Sequence, residues 1–123
     1  MTSKELNLKL ISFLPEMKAY YNNTVSWQDG DETGSHIVFE DAFVPYIKEC
    51  AKKQDAASTV KCFEVIEKLL LLNDEYTEEV IALSVLESLL FSETLSVDSL
   101  YSYMRRETKK LFNEVREGWS QFM

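Results

Sequence analysis

Glycine and proline are scarce, three and two residues among 123. A sandwich or barrel is built on many tight turns, so this scarcity excludes an architecture of short strands and favours long helices. Histidine and cysteine are just as limited, at one and two. His36 has no partner at metal-ligand spacing on a helix, and it reads as an N-terminal helix residue beside Ser35. Cys50 and Cys62 are too few and too poorly spaced for a metal knuckle, and their apolar neighbours read as those of reduced core thiols. No glycine-rich phosphate cradle occurs, and neither cysteine comes with an evident histidine or asparagine partner. No enzyme activity, catalytic residue or cofactor is expected. The longest apolar run is too short to cross a bilayer. The opening MTSKELNLKLISFLPEMK mixes charge into its apolar positions, unlike a signal peptide, so a cytoplasmic protein is expected, with no membrane partner.

Apolar residues make up 46% of the chain and aromatics 12%, enough to bury one core in a single domain over residues 1–123. Their spacing predicts an all-α bundle of five or six helices. Thr2 and Glu5 form a capping box ahead of Leu6, Leu8, Leu10, Ile11 and Leu14. Pro15 either bends this helix or starts a second short one, PEMKAYYNN. Residues 22–34 repeat at no helical period and read as the longest loop. Ser35 is the expected N-cap of a helix whose apolar line is Ile37, Phe39, Phe43, Val44, Ile47, Cys50 and Ala51. Pro45 should kink it, because its ring clashes with the Asp41 carbonyl.

Asp55 or Ser58 caps TVKCFEVIEKLLLLN, and Asp74 or Thr77 caps TEEVIALSVLESLLF, the two forming an antiparallel hairpin. Ser96 then caps one last segment lined by Leu100, Met104, Leu111, Phe112, Val115, Trp119 and Phe122. Similar apolar sets, Phe39-Phe43-Ile47, Phe63-Ile66-Leu70 and Ile81-Val85-Leu89, fit both a compact bundle and HEAT-like stacked hairpins.

The net charge is −8. Between Glu64 and Asp98 nine carboxylates face one base, Lys68. Such a field repels nucleic acid and steers a basic partner inward. The basic group Arg105, Arg106, Lys109 and Lys110 reads as a supplier of ion pairs to neighbouring carboxylates, not a nucleic-acid surface. Glu67 and Glu87 sit among apolar neighbours, in VIEKLL and VLESLL. Partial burial with a raised pKa is one expectation for them; pairing with Lys68, Arg105 or Arg106 at the edge of the apolar face is the other.

Residues 29–40, DGDETGSHIVFE, carry Asp29, Asp31, Thr33, Gly34 and Glu40 where a calcium loop places its first, third and fifth ligands, its glycine and its closing carboxylate. His36 takes the place of the usual apolar eighth residue, the incoming NNTVSWQ is poor helix, and no sister loop exists. The stretch reads better as a polar loop whose acids are solvated or meet a partner, and no metal ligand is assigned.

Two blocks, SHIVFEDAFVPYIKE and KCFEVIEKLLLLNDEYTEEVIALSVLESLLF with the trailing LYSYMRRETKKLF, cover most of residues 27–113. With Trp27, Pro45, Glu67 and Glu87, this pattern resembles small helical bacterial proteins similar to the immunity proteins of toxin–immunity pairs, contact-dependent growth inhibition systems included. The resemblance implies binding without catalysis: a cognate toxin C-terminal domain, a basic nuclease in many such systems, neutralised by occlusion. In that reading the acidic stretch and its helix start make Glu75, Glu78 and Glu79 the expected contacts, with Asp74, Glu67 and Glu87. The loop contacts are Trp27, Asp29, Asp31 and Glu32, and Trp27 and Tyr76 are the aromatic anchors. A helical adaptor for a non-toxin partner, a homodimer and a calcium-responsive loop are the alternatives.

Overall fold

The computed structural model describes residues 1–121; Phe122, expected at the end of the last apolar line, lies outside them. The described residues form an all-α domain of seven helices with no strand. α1 (Ser3–Phe13) starts on the expected capping box: the Thr2 hydroxyl accepts the Glu5 N–H, and the Glu5 carboxylate accepts the Thr2 N–H. Pro15 opens a 3-10 turn, Pro15–Met17, that leads into α2 (Lys18–Val25), so it starts a second helix and does not bend the first. α2 runs through Asn22 and Asn23 to Val25, because Tyr21 and Val25, four residues apart, both enter the core. The loop expected over residues 22–34 therefore begins at residue 26, and it holds a 3-10 turn at Gly30–Glu32.

α3 spans residues 35–52 as an α-turn (Ser35–Val38), a π segment (Phe39–Phe43) and an α-helix (Val44–Lys52). Ser35 is its first helical residue and not its cap; the Ser35 hydroxyl instead donates to Asn7 Oδ1 at 2.9 Å. Pro45 produces a wide turn in place of a sharp kink. Its missing N–H cannot close an α-turn, and the Val44 N–H reaches back five residues to the Phe39 carbonyl. The Asp41 carbonyl, whose usual α-helical donor would come from Pro45, receives a long 3.5 Å hydrogen bond from the Thr24 hydroxyl.

α4 (Ala56–Leu70) is capped by Asp55, whose carboxylate accepts the Ser58 N–H. α5 spans residues 75–90, with a π segment at Ile81–Leu86, and Asp74 caps it through the Thr77 N–H. Asn73, at φ 54°, makes the left-handed turn between the two, a state that asparagine tolerates better than most residues. The expected single last segment is two helices, α6 (Val97–Tyr101) and α7 (Arg106–Ser120).

One continuous core takes residues from every helix, from Leu6, Leu10 and Leu14 to Leu100 and Phe112. α7 packs on α4 and α5, and the π segments of α3 and α5 pack against each other at the centre. Phe39, Phe43, Phe63 and Phe112 are fully buried, and cutting any of them to alanine costs about 3–5 kcal/mol. No helix among the described residues is long and apolar enough to cross a membrane.

Candidate docking surface

The acidic residues singled out from the sequence divide into two groups. Asp74 and Glu67 are used inside the fold. The Asp74 carboxylate accepts the Thr77 N–H and hydroxyl, both at 2.9 Å, and the Met1 amino group at 3.0 Å. These contacts, the Thr77 N–H above all, hold its carboxyl below the usual range. Glu67 accepts the backbone N–H groups of Glu107 and Thr108, each at 2.9 Å, and the Thr108 hydroxyl at 2.8 Å. Burial pushes its carboxyl up, but those bonds, with Arg105 nearby, outweigh burial and leave it lowered. The expectation of a raised Glu67 is thereby corrected. Its neighbour Glu64, one turn earlier on α4, pairs with Arg105 at 2.8 Å.

Glu75, Glu78 and Glu79 are exposed on the first turns of α5. Along the outer side of that helix, Glu75, Glu79, Leu83, Glu87 and Phe91 recur at every fourth residue. Leu83 is 50% exposed and Phe91 47%, while Glu87 is half-buried. Phe91 meets Trp119 of α7 edge to face, with ring centroids 5.0 Å apart. Glu78 turns to the other side, where it joins Glu107 and Glu114 around a cleft of about 240 Å3 over Leu70 and Leu111, with Lys110 the one base on its wall.

The loop acids lie at the same end of the bundle as the start of α5. Tyr76 of α5 hydrogen-bonds the Ser3 hydroxyl at 2.7 Å, and Ser3 in turn accepts the Ser35 N–H at the end of the loop. Asp29, Asp31 and Glu32 are exposed, as is Trp27 at 84%. The loop is nevertheless well tied: the Asn7 amide donates to the Asp31 and Thr33 carbonyls, and the Tyr21 hydroxyl donates to the Asp31 carboxylate at 2.6 Å. Tyr76 is half-buried, so of the two expected anchors only Trp27 stands free of the fold.

Calcium-loop geometry is not formed. Thr33 is buried and its hydroxyl is occupied, donating to the Gly30 carbonyl and accepting the Asp29 N–H. Glu40 belongs to the π segment of α3, and among the described residues no group of three acidic, histidine or cysteine side chains converges as a metal would need.

Sequence reasoning missed two polar contacts. Asn7 is fully buried, and the clue was its place on the line of Leu10 and Leu14, three and seven residues ahead. His36 Nδ1 lies 2.6 Å from Ser84 Oγ, joining the two π-containing helices, and no local signal links residues so far apart.

The family profile of DUF7674, a domain of unknown function, matches residues 7–120. The chain belongs to the DUF7674 family. That match reaches every helix, so the acidic line of α5, the Glu67 cap and the Trp27 loop all belong to the DUF7674 domain itself. No curated protein matches the chain, and no solved structure does.

Proposed function

We propose that this DUF7674 protein is an immunity-type inhibitor that binds a basic toxin domain by direct occlusion, in the cytoplasm of the cell that makes both. The observation that carries the reading is the outward line of α5, where the exposed Glu75 and Glu79 and the half-buried Glu87 border the exposed Leu83, and the line ends on Phe91. An apolar strip bordered by like charge suits a partner that offers lysine or arginine around an apolar patch. The resemblance carried by Trp27, Pro45, Glu67 and Glu87 adds the toxin–immunity setting. Glu75, Glu79, Trp27 and the loop acids are the contacts, with Glu78 beside them on the adjoining side of the same turns; Asp74 and Glu67 serve the fold.

The test is affinity purification from cells that encode the protein, at low and then high salt, followed by an inhibition assay. A basic domain recovered at one-to-one stoichiometry, toxic alone and harmless with this protein, supports the reading. Reversing Glu75, Glu78 and Glu79 to lysine should leave the fold intact and lower capture of that domain about 100-fold. Equal protection by the triple variant would show this face to be the wrong one, and a non-toxic partner would favour a helical adaptor.

A further inference from the structure

A cavity of about 490 Å3 lies between the α3–α4 bend and α6. Gln54, at a left-handed φ of 57°, turns the chain from α3 into α4, and the Asp55 N–H closes that turn on the Cys50 carbonyl. Among the residues of the cavity wall, Leu100 and Thr59 are buried, while Ala51, Leu95 and Tyr103 are half-buried. Gln54, Ala56, Ser99 and Ser102 form the exposed rim. Tyr103 is held in place by stacking on Phe63, with ring centroids 6.2 Å apart.

Two properties of this wall select a ligand. None of the described residues that line it is charged, in a chain whose composition is 28% charged, so an ion entering it would leave water without meeting a counter-charge. The wall hydroxyls, moreover, have already used their protons. Thr59 donates to the Asp55 carbonyl at 2.8 Å, Ser99 to the Ser96 carbonyl at 2.7 Å and Ser102 to the Ser99 carbonyl at 2.9 Å. What these oxygens still offer is lone pairs, so towards a ligand they are acceptors.

We propose that this cavity binds a small uncharged ring compound that carries an N–H or O–H donor. The ring lies against Leu95, Leu100 and Tyr103, and the donor meets a serine or threonine oxygen of the wall. The volume falls within the range of small-molecule sites, roughly 300–1,000 Å3. This site is independent of the docking surface: it lies at the first turn of α4, whereas the acidic turns of α5 follow the last turn of that helix.

The experiment titrates the full chain, isotope-labelled for amide shifts, with three probes built on one ring system. Indole is neutral and has an N–H, N-methylindole is neutral without one, and indole carboxylate is an anion. Indole should shift the amides of Ala51, Gln54, Ala56, Ser99 and Tyr103 in a saturable way. N-methylindole should bind about fivefold more weakly, for the lost hydrogen bond, and indole carboxylate should leave these amides unmoved. Because Ala56 is exposed, Ala56→Phe narrows the cavity from its rim, and it should weaken indole binding about tenfold. Indole shifts that miss these amides overturn the proposal. Binding of either other probe as tightly as indole does so as well, and so does a folded Ala56→Phe variant that binds indole like the wild type. Circular dichroism checks the variant; if it is unfolded, the wild-type shift map and the ranking of the three probes decide.

Discussion

The Glu67 carboxylate of α4 grips the Glu107 and Thr108 N–H groups at the start of α7, each at 2.9 Å. Arg105, in the N-cap position, offers no capping oxygen, so the helix takes its cap from a neighbour.

Replacing Glu67 with alanine should cost about 1–2 kcal/mol in urea unfolding, and Glu67→Gln less, since an amide oxygen still accepts one N–H. The folded carboxyl titrates lower than the unfolded one, so its contribution is complete above the ordinary glutamate range and is lost as pH falls through the lowered folded value. The stability gap between the wild type and Glu67→Gln should therefore close on acidification. A gap that widened instead would place the carboxylate in another role.

Asn7 is the second internal tie. Asn7→Leu removes the donors to the Asp31 and Thr33 carbonyls and one acceptor of the Ser35 hydroxyl, leaving the buried Thr33 carbonyl without its side-chain donor. The expected loss is about 2–4 kcal/mol, with faster hydrogen exchange over residues 29–35. Unchanged exchange there would mean that Tyr21 and Ser3 hold the loop without Asn7.

Trp27 and Leu83 should separate binding from folding. Both are exposed, so Trp27→Ala and Leu83→Ser should each shift stability by no more than about 0.5 kcal/mol. In the docking reading, each lowers partner affinity by about 2 kcal/mol, measured by titration calorimetry. Affinity left intact by both variants would remove this surface from the interface.

Calcium up to millimolar concentration should leave tryptophan emission unchanged, because the Thr33 hydroxyl is already bonded within the loop. A saturable change that Asp29→Asn abolished would restore the calcium loop.

Local chemistry explains which parts of this fold were legible in the sequence. The Thr2–Glu5 box and the Asp55 and Asp74 caps act over three residues, and all three are present. Glu75, Glu78 and Glu79, expected to be exposed from their place at the start of a helix, are exposed. The Glu67 cap was hidden because its donors lie about forty residues away, and a glutamate among leucines looks the same whether it is spent or free. Residues 22–25 were misread for a related reason: Asn22, Asn23 and Thr24 are poor helix formers, and burial of Tyr21 and Val25 overrides them. Pro45 advertised a disturbance in α3, but no residue within Ile81–Leu86 announces the matching one in α5.

That second wide turn also sets the aim of the outer line of α5. Side chains four apart on an ideal α-helix drift round the axis by roughly 40° at each step, so five of them would spiral from one side of the rod towards the other. Under-winding over Ile81–Leu86 takes back part of this rotation, in phase with Leu83 and Glu87. An irregularity of the interior thus works as a phase corrector for the exterior, holding Glu75, Glu79, Leu83, Glu87 and Phe91 closer to one straight line than an ideal helix would.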